Sequence, residues 1–207
     1  MISSDDDATR HRAKMAKRKA VQDAEVAGKT VARRGLLMVH TGAGKGKSTA
    51  AFGLVLRALG HGWKVGVVQF GKGAWTSGER AIFEKLAADT GLVEWRTLGE
   101  GFTWETQDRA RDEAAARRAW DETRLLMDDP KLRLLVLDEL NIALRYEHLP
   151  AGEVIVALRA RRDDLHIVVT GRNAKPELIE IADLVTEMTP VKHHFAAGVK
   201  AQEGIEF

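Results

Sequence analysis

The stretch that decides the fold of this chain is TGAGKGKST, residues 41–49. It follows the apolar residues 36–39 and leads into residues 50–57, which have the composition of a helix. A strand, a glycine-rich loop and a Lys-Ser pair at the start of a helix form the phosphate-binding P-loop. Its glycines let successive backbone N–H groups point at an anion, and the positive end of the helix dipole adds to the attraction. We therefore predict nucleoside-triphosphate binding, against the alternative of a glycine-rich turn with incidental lysines.

The loop departs from the usual P-loop pattern at two positions. Thr41 stands where the first glycine is expected, and Lys45 is an additional lysine. Lys47 is expected to supply a point charge to phosphate oxygens, and the Ser48 hydroxyl is the expected Mg²⁺ ligand. Arg57 is either a phosphate contact, in its own subunit or in a partner's, or a solvated charge on the helix. The predicted nucleotide-binding residues are Thr41, Gly42, Ala43, Gly44, Lys45, Gly46, Lys47, Ser48, Thr49 and Arg57.

The composition indicates one globular domain and excludes several kinds of chemistry. The chain has 207 residues, 44% of them hydrophobic, which suits one domain that buries roughly 70% of its unfolded surface. The 32 Lys and Arg side chains nearly balance the 30 Asp and Glu side chains, and this balance argues against a dedicated nucleic-acid binder. Since there is no cysteine, disulfides and thiolate nucleophiles are excluded. No apolar run approaches the roughly 20 residues that span a membrane, and no secretory pattern is present, so we expect a cytoplasmic protein.

Apolar segments alternate with helical patterns from residue 35 onward. Strands are predicted at residues 36–40, 64–70, 93–97, 134–137, 165–170 and 184–188. Helices are predicted at residues 50–59, 82–89, 108–127, 150–161 and 176–182. This alternation predicts a doubly wound, mainly parallel α/β sheet of the P-loop NTPase, RecA-like type, in a single domain over residues 35–207. Residues 1–34 carry acidic and basic runs and are predicted to form a charged helix or a disordered arm.

An acidic pair follows the fourth predicted strand. The apolar residues 134–137 end at Asp138 and Glu139, and Asp138 comes 91 residues after Lys47. An acid at the carboxyl end of a strand is the second half of a P-loop site, and we predict that Asp138 holds Mg²⁺ directly or through water. Glu139 is a metal ligand, a water-activating base or a substrate contact. The plainer alternative is that Glu139 caps a helix.

Two loops place aromatic residues outside the predicted core. Phe102 and Trp104 lie in GEGFTWET, residues 99–106, and Trp75 lies in residues 72–80, just past the second strand. Aromatic residues on loops suggest a lid or a flat hydrophobic ligand. The alternative is that Phe102 and Trp104 only anchor their loop to the core.

The adjacent histidines His193 and His194 are not predicted to bind a metal. Neighbouring residues on a strand point to opposite faces, so two such imidazoles rarely reach one ion.

Together these motifs resemble the ATP:corrinoid adenosyltransferases of the CobA/CobO/BtuR type. The resemblance rests on the loop at residues 41–53, VVQF at 67–70, GFTW at 101–104 and LDEL at 137–140. VKH at residues 191–193 and GVKAQ at residues 198–202 extend it over nearly the whole chain. The departures are mild: Ala43, Ser48 and Gly71 stand where many members have Asn, Thr and Ile.

The resemblance implies an enzyme of adenosylcobalamin biosynthesis or corrinoid salvage. Such an enzyme transfers the 5′-deoxyadenosyl group of ATP to the Co(I) centre of a corrinoid and releases triphosphate. The corrinoid would be cobalamin, cobinamide or cobyrinic acid diamide. The family also implies a homodimer whose N-terminal helix covers a neighbouring site, and a flavoprotein as a possible electron donor.

Roles for individual residues follow from the same resemblance. Catalytic roles fall on Lys47, Glu139, Phe102 and Trp104, and the two aromatic side chains would pack under the corrin and displace the lower cobalt ligand. Mg²⁺ contacts fall on Ser48, Glu139 and Asp138.

Two other functions share parts of the pattern. A RecA-like ATPase or nucleic-acid motor would use Glu139 to activate water and would release ADP, but the small size and near-neutral charge argue against it. A nucleotide sensor would bind ATP without turnover and contact partners through its N-terminal arm. The guanine-reading signature of GTPases is absent, since residues 173–176 read NAKP.

Overall fold

The computed structural model describes residues 4–31, 33–71, 78–98 and 108–206. The chain divides into two compact units, Met1–Arg34 and Gly35–Phe207. The first unit contains one helix, α1, over Ser4–Ala27. Nearly all of its described side chains are exposed, because charged residues surround the helix and no apolar stripe forms. Within the described part of this unit the helix takes up Ser4–Ala27, and a charged helix was one of the two alternatives predicted for residues 1–34.

The second unit is built on a six-stranded sheet. Its strands are β1 Leu37–Thr41, β2 Lys64–Gln69, β3 Val93–Thr97, β4 Leu132–Asp138, β5 His166–Thr170 and β6 Leu184–Glu187. They lie in the order β3-β2-β4-β5-β1-β6, and all neighbours are parallel. The described helices of this unit are α2 Lys47–Gly60, α3 Gly78–Thr90, α4 Arg109–Asp128, α5 Leu140–Arg145, α6 Ala151–Arg159 and α7 Pro176–Ile181. A 3₁₀ turn at His194–Ala197 follows β6. The predicted α/β fold of P-loop type is confirmed.

Apolar residues cover both faces of the sheet. Successive side chains on β4 alternate between the two cores, so that Leu135 packs in one and Val136 in the other. Trp120 of α4 is fully buried in the first core, and Phe52 of α2 belongs to the second. Burial on both faces explains why the inner strands β2, β4, β5 and β1 appear in the sequence largely as continuous apolar runs rather than as alternating ones.

The strand order sets the distance between the loop and the acidic pair. β5 lies between β1, which leads into the loop, and β4, which ends at Asp138. All the strands are parallel, so their carboxyl ends share one edge, and this is where ligands bind in such sheets. The loop, the acidic pair and the end of β5 therefore meet at one edge.

Four local predictions need correction, among them that of α3, which begins at Gly78 rather than at residue 82. The helix after the loop begins at Lys47 rather than at residue 50, and β4 begins at Leu132, two residues before its predicted start. The short helix α5 was not predicted, because its six residues are fewer than two turns and leave too little periodicity to detect.

Within the four described ranges, no helix is both long enough and apolar enough to cross a lipid bilayer.

Candidate nucleotide-binding site

The glycine-rich loop bridges the end of β1 and the start of α2. Gly42 and Gly46 have φ angles of 95° and 101°, in the left-handed region that glycine adopts most readily. Gly44 donates its N–H to the Met188 carbonyl at 2.6 Å, and a Cβ at Gly44 would lie 2.7 Å from the same oxygen. The loop therefore packs directly on the backbone that follows β6, and a side chain at Gly44 would separate the two.

Lys47 is buried at the first turn of α2. Its side chain is 7% exposed, and its Nζ donates to the Gly44 carbonyl. Removal from water lowers the pKa of Lys47, and Arg172 and Lys45 add to this effect, while the charge of Glu139 acts in the opposite direction. An anion bound in the loop would stabilise the charged form of Lys47. A buried cation that gains from a neighbouring anion is what a phosphate site needs.

Asp138 is fully buried and is held by donors from three elements. Ser48 Oγ donates to Asp138 Oδ1 at 2.7 Å, and Thr170 Oγ1 donates to the same oxygen at 2.8 Å. Gln69 Nε2 donates to Asp138 Oδ2 at 3.0 Å. The Asp138 carboxylate thus fixes the orientation of the Ser48 hydroxyl at the start of α2.

Glu139 has an unusual backbone conformation at the same edge. Its φ of 63° lies in the left-handed region, which is uncommon for a residue with a side chain and is often found at functional sites. Its N–H donates to Thr170 Oγ1 at 3.0 Å. Glu139 stands at the N-cap of α5 but makes no side-chain capping hydrogen bond, so the helix-capping alternative is wrong. The carboxylate is only partly buried and lies close to Gly171, where an added Cβ would be 3.0 Å from Glu139 Oε2.

A hydrogen-bonded chain behind Asp138 was not found from the sequence. Trp95 Nε1 donates to Thr97 Oγ1 at 3.1 Å, and Thr97 Oγ1 donates to Gln69 Oε1 at 3.1 Å. Gln69 Nε2 in turn donates to Asp138 Oδ2, which completes the chain. The available signal was a glutamine at the end of an apolar strand, which in a parallel sheet marks the ligand-binding edge.

The structure brings some predicted residues together and leaves others apart. The loop, Ser48, Asp138 and Glu139 meet at one edge, as described above. Arg57 is exposed in the last turn of α2, ten residues beyond Lys47 and so about 15 Å along the helix axis. Phe102 and Trp104, with Trp75, lie outside the described residues.

The tail after β6 returns to the loop. His193 and His194 lie at the start of the 3₁₀ turn, not on a strand, and their rings stack with centroids 4.7 Å apart. The predicted reason against a metal there, opposite faces of a strand, is therefore wrong. Glu206 joins the pair, and the three side chains bring one ligand atom each to within 4.8 Å of one another. Lys45 Nζ also donates to Glu206, so a metal ion would have to share this carboxylate with an ammonium group.

Comparison with known proteins gives a consistent result over the chain. The family described as ATP:corrinoid adenosyltransferase BtuR/CobO/CobP matches residues 33–207, and the family described as cob(I)alamin adenosyltransferase N terminal matches residues 1–26. A corrinoid adenosyltransferase of Pseudomonas aeruginosa is 54% identical over 96% of both chains. One of a Sinorhizobium species is 52% identical over 97% of this chain and 93% of its own. The corrinoid adenosyltransferase CobA of Salmonella typhimurium is 48% identical over 84% of this chain and 86% of its own.

Proposed function

The chain belongs to the ATP:corrinoid adenosyltransferase family, and on that premise we propose that it transfers the 5′-deoxyadenosyl group of ATP to the Co(I) centre of a corrinoid and releases triphosphate. One observation supports the ATP-binding part of this proposal: the start of α2, directly after the glycine-rich loop, contacts the acid at the end of β4. Ser48, the residue after the loop lysine, is hydrogen-bonded to Asp138 at the end of β4. An ordinary glycine-rich turn would not require this pairing.

The residues at the sheet edge suit Mg²⁺ bound together with ATP. The Ser48 hydroxyl and the Glu139 carboxylate supply the oxygen ligands that Mg²⁺ prefers, and Asp138 fixes the serine from behind. When bound there, the ion would neutralise part of the phosphate charge. We propose Ser48 and Glu139 as direct contacts and Asp138 as the residue that orients Ser48.

The proposed reaction is a nucleophilic displacement at C5′ of ATP. The electron pair of Co(I) forms the new Co–C bond, the C5′–O bond breaks, and its electron pair leaves with the triphosphate. The cobalt becomes formally Co(III), so the electrons balance without a further oxidant. No proton has to move, and Asp138, enclosed by three donors, is not placed to act as a base. The work of the protein is to orient the ribose and stabilise the leaving group.

Lys47 and the backbone N–H groups of the loop are the groups that we assign to the leaving triphosphate. Charge grows on the bridging oxygen as the C5′–O bond breaks, so cations and N–H groups already fixed around the phosphates favour the transition state. The lowered pKa of Lys47 supports this role, because a cation that burial removes from water is strongly stabilised by a neighbouring anion.

The corrinoid half of the proposal rests on the family. Phe102 and Trp104 are proposed to pack under the corrin and displace its lower cobalt ligand. Cobalamin, cobinamide and cobyrinic acid diamide are all candidate substrates. A homodimer and a flavoprotein electron donor are proposed on the same basis.

The test is an anaerobic assay with MgATP and chemically reduced Co(I) corrinoid. We expect a light-sensitive adenosyl-corrinoid spectrum and one equivalent of triphosphate for each adenosyl group transferred. Release of ADP without a spectral change would refute the proposal and make the protein an ATPase. Comparing the three corrinoids in the same assay would identify the preferred substrate.

A further inference from the structure

The second lysine of the loop is already paired with a carboxylate. Lys45 Nζ donates to Glu206 Oε2, although the two residues are 161 positions apart. The Lys45 side chain is 57% exposed, whereas that of Glu206 is 14% exposed. His194 Nε2 lies 2.7 Å from the other carboxylate oxygen. Glu206 therefore sits between a loop cation and an imidazole.

The position of Glu206 is one where a phosphate-binding loop favours negative charge. Hydrogen bonding from Lys45 lowers the pKa of Glu206, and the charges of Lys45, His194 and His193 act in the same direction. The tail also contacts the loop backbone, because Gly44 donates to Met188. The segment after β6 thus contacts the loop at two places, Met188 against Gly44 and Glu206 against Lys45, and the second contact supplies a carboxylate.

We propose that Glu206 is a built-in counter-ion for Lys45, which the triphosphate of ATP displaces on binding. Lys45 then exchanges a carboxylate oxygen for a phosphate oxygen, and the tail is released from the loop. Glu206 is then a positioning residue that holds Lys45 until a triphosphate binds and that weakens triphosphate binding by competing with it. The inference rests on the proposed function only in taking a triphosphate as the ligand of the loop.

The Lys45–Glu206 pair could instead stabilise the geometry that binds phosphates, and loss of Glu206 would then change triphosphate affinity in the opposite direction. If Glu206 only holds Lys45 in the geometry that phosphates need, its loss would weaken binding. If it competes with phosphates, its loss strengthens binding. The sign of the change therefore separates the two roles.

The experiment is calorimetric titration of the full chain with inorganic tripolyphosphate and, separately, with MgATP. We expect Glu206→Gln to bind tripolyphosphate about two- to fivefold more tightly than the unmodified chain, the size typical of a part-exposed ion pair. Glu203→Gln is the matched control, because it makes the same charge change at an exposed position of the same tail. Equal or weaker binding by Glu206→Gln would overturn the proposal.

A double variant tests the pairing itself. In a Lys45→Ala background, Glu206→Gln should have no effect on tripolyphosphate affinity, since the cation for which the carboxylate competes is gone. An undiminished effect in that background would overturn the assignment of Lys45 as the partner.

Hydrogen exchange on the unmodified chain provides a readout that needs no variant. We expect backbone amides in residues 193–206 to exchange faster when tripolyphosphate is bound, and unchanged or slower exchange would contradict release of the tail. Neither measurement uses a corrinoid. Binding with no effect of Glu206→Gln would remove this inference alone, whereas failure to bind any triphosphate would remove the proposed function with it.

Discussion

Lys47 combines burial, charge and contact with the loop backbone, and so its loss should be the most damaging single change for nucleotide binding. Replacing it with alanine removes a cation held next to the loop carbonyl of Gly44. Charged hydrogen bonds contribute about 1.5–3 kcal/mol, so ATP affinity should fall about 10- to 150-fold. Calorimetric titration with MgATP measures this, with Lys85→Ala on the exposed face of α3 as the control. Near-normal affinity in Lys47→Ala would show that phosphates bind elsewhere.

The two acids at the carboxyl end of β4, Asp138 and Glu139, should respond differently to neutralisation. Asp138 accepts from Ser48, Thr170 and Gln69, so an amide at this position places a donor against donors. Asp138→Asn should therefore lower the free energy of unfolding by about 1–3 kcal/mol. Glu139→Gln, at a partly exposed position, should change it by less than about 0.5 kcal/mol and weaken the dependence of ATP binding on Mg²⁺.

Urea unfolding and Mg²⁺ titrations at fixed ATP separate these two effects. Equal stability losses in the two variants would contradict the view that Asp138 is the structural member of the pair and Glu139 the ligand contact.

Glycines in two neighbouring elements illustrate how packing decides the result of the same substitution. Gly53 lies in α2, exposed, with nothing near its missing Cβ, and so Gly53→Ala should stabilise the protein by about 0.5–1 kcal/mol through helix propensity. Gly44 lies against the Met188 carbonyl, so Gly44→Ala should destabilise it by about 1–3 kcal/mol and reduce ATP affinity. Thermal unfolding and MgATP titration of both variants test this. A neutral Gly44→Ala would mean that the loop does not rest on the backbone after β6.

The start of β5 contains a histidine that makes stability depend on pH. His166 Nδ1 accepts the Leu36 N–H at 3.2 Å, and its ring stacks on Trp63. Burial lowers the pKa of His166, and Arg133 and Arg161 lower it further. The folded-state pKa is thus below the unfolded value of about 6.5. Unfolding takes up a proton between these two values, so this contribution to stability is complete above about pH 6.5 and is lost as the pH falls through the folded-state pKa.

Urea unfolding at pH 7.5 and pH 5 measures this loss. His166→Gln keeps an acceptor for Leu36 but removes the titration, so its stability should depend less on pH over this interval. The same pH dependence in both chains would assign the effect to other groups.

The sequence predicted the elements whose pattern is local and missed the contacts that only the fold creates. The loop, β1 and the acidic pair were found because their residue types and order carry the signal. The chain from Trp95 through Thr97 and Gln69 to Asp138 joins three strands, and nothing in the local pattern pairs these residues. The 161-residue separation of Lys45 and Glu206 is a further case. Strand geometry was assumed for the histidine pair in the argument against a metal there, because nothing in the local sequence indicated the 3₁₀ turn.

The division of the chain into two units predicts what removal of the first would do. Among the described residues, the members of the two hydrophobic cores all lie between positions 36 and 182, so the second unit builds these cores from its own residues. Gly35 remains anchored at its carbonyl by Arg161. A variant lacking residues 2–34 should therefore unfold cooperatively, as a small single domain does, and bind MgATP with affinity within about twofold of the full chain. Calorimetry and urea unfolding are the measurements, and loss of cooperative unfolding would show that α1 stabilises the second unit.

The same truncated variant tests the role that the family implies for α1. If this helix covers the site of a neighbouring subunit, the truncated enzyme should keep its ATP affinity and lose most adenosyl transfer from Co(I) corrinoid. The anaerobic assay measures the transfer, and mixing the truncated chain with full-length chains that carry Lys47→Ala extends the test. In such a mixed dimer, the intact helix of the inactive chain would cover the active site of the truncated one. Partial recovery of transfer would place the helix across the subunit boundary, because neither chain alone has both a functional loop and a helix. No recovery, with mixed dimers demonstrated by mass, would restrict α1 to its own chain.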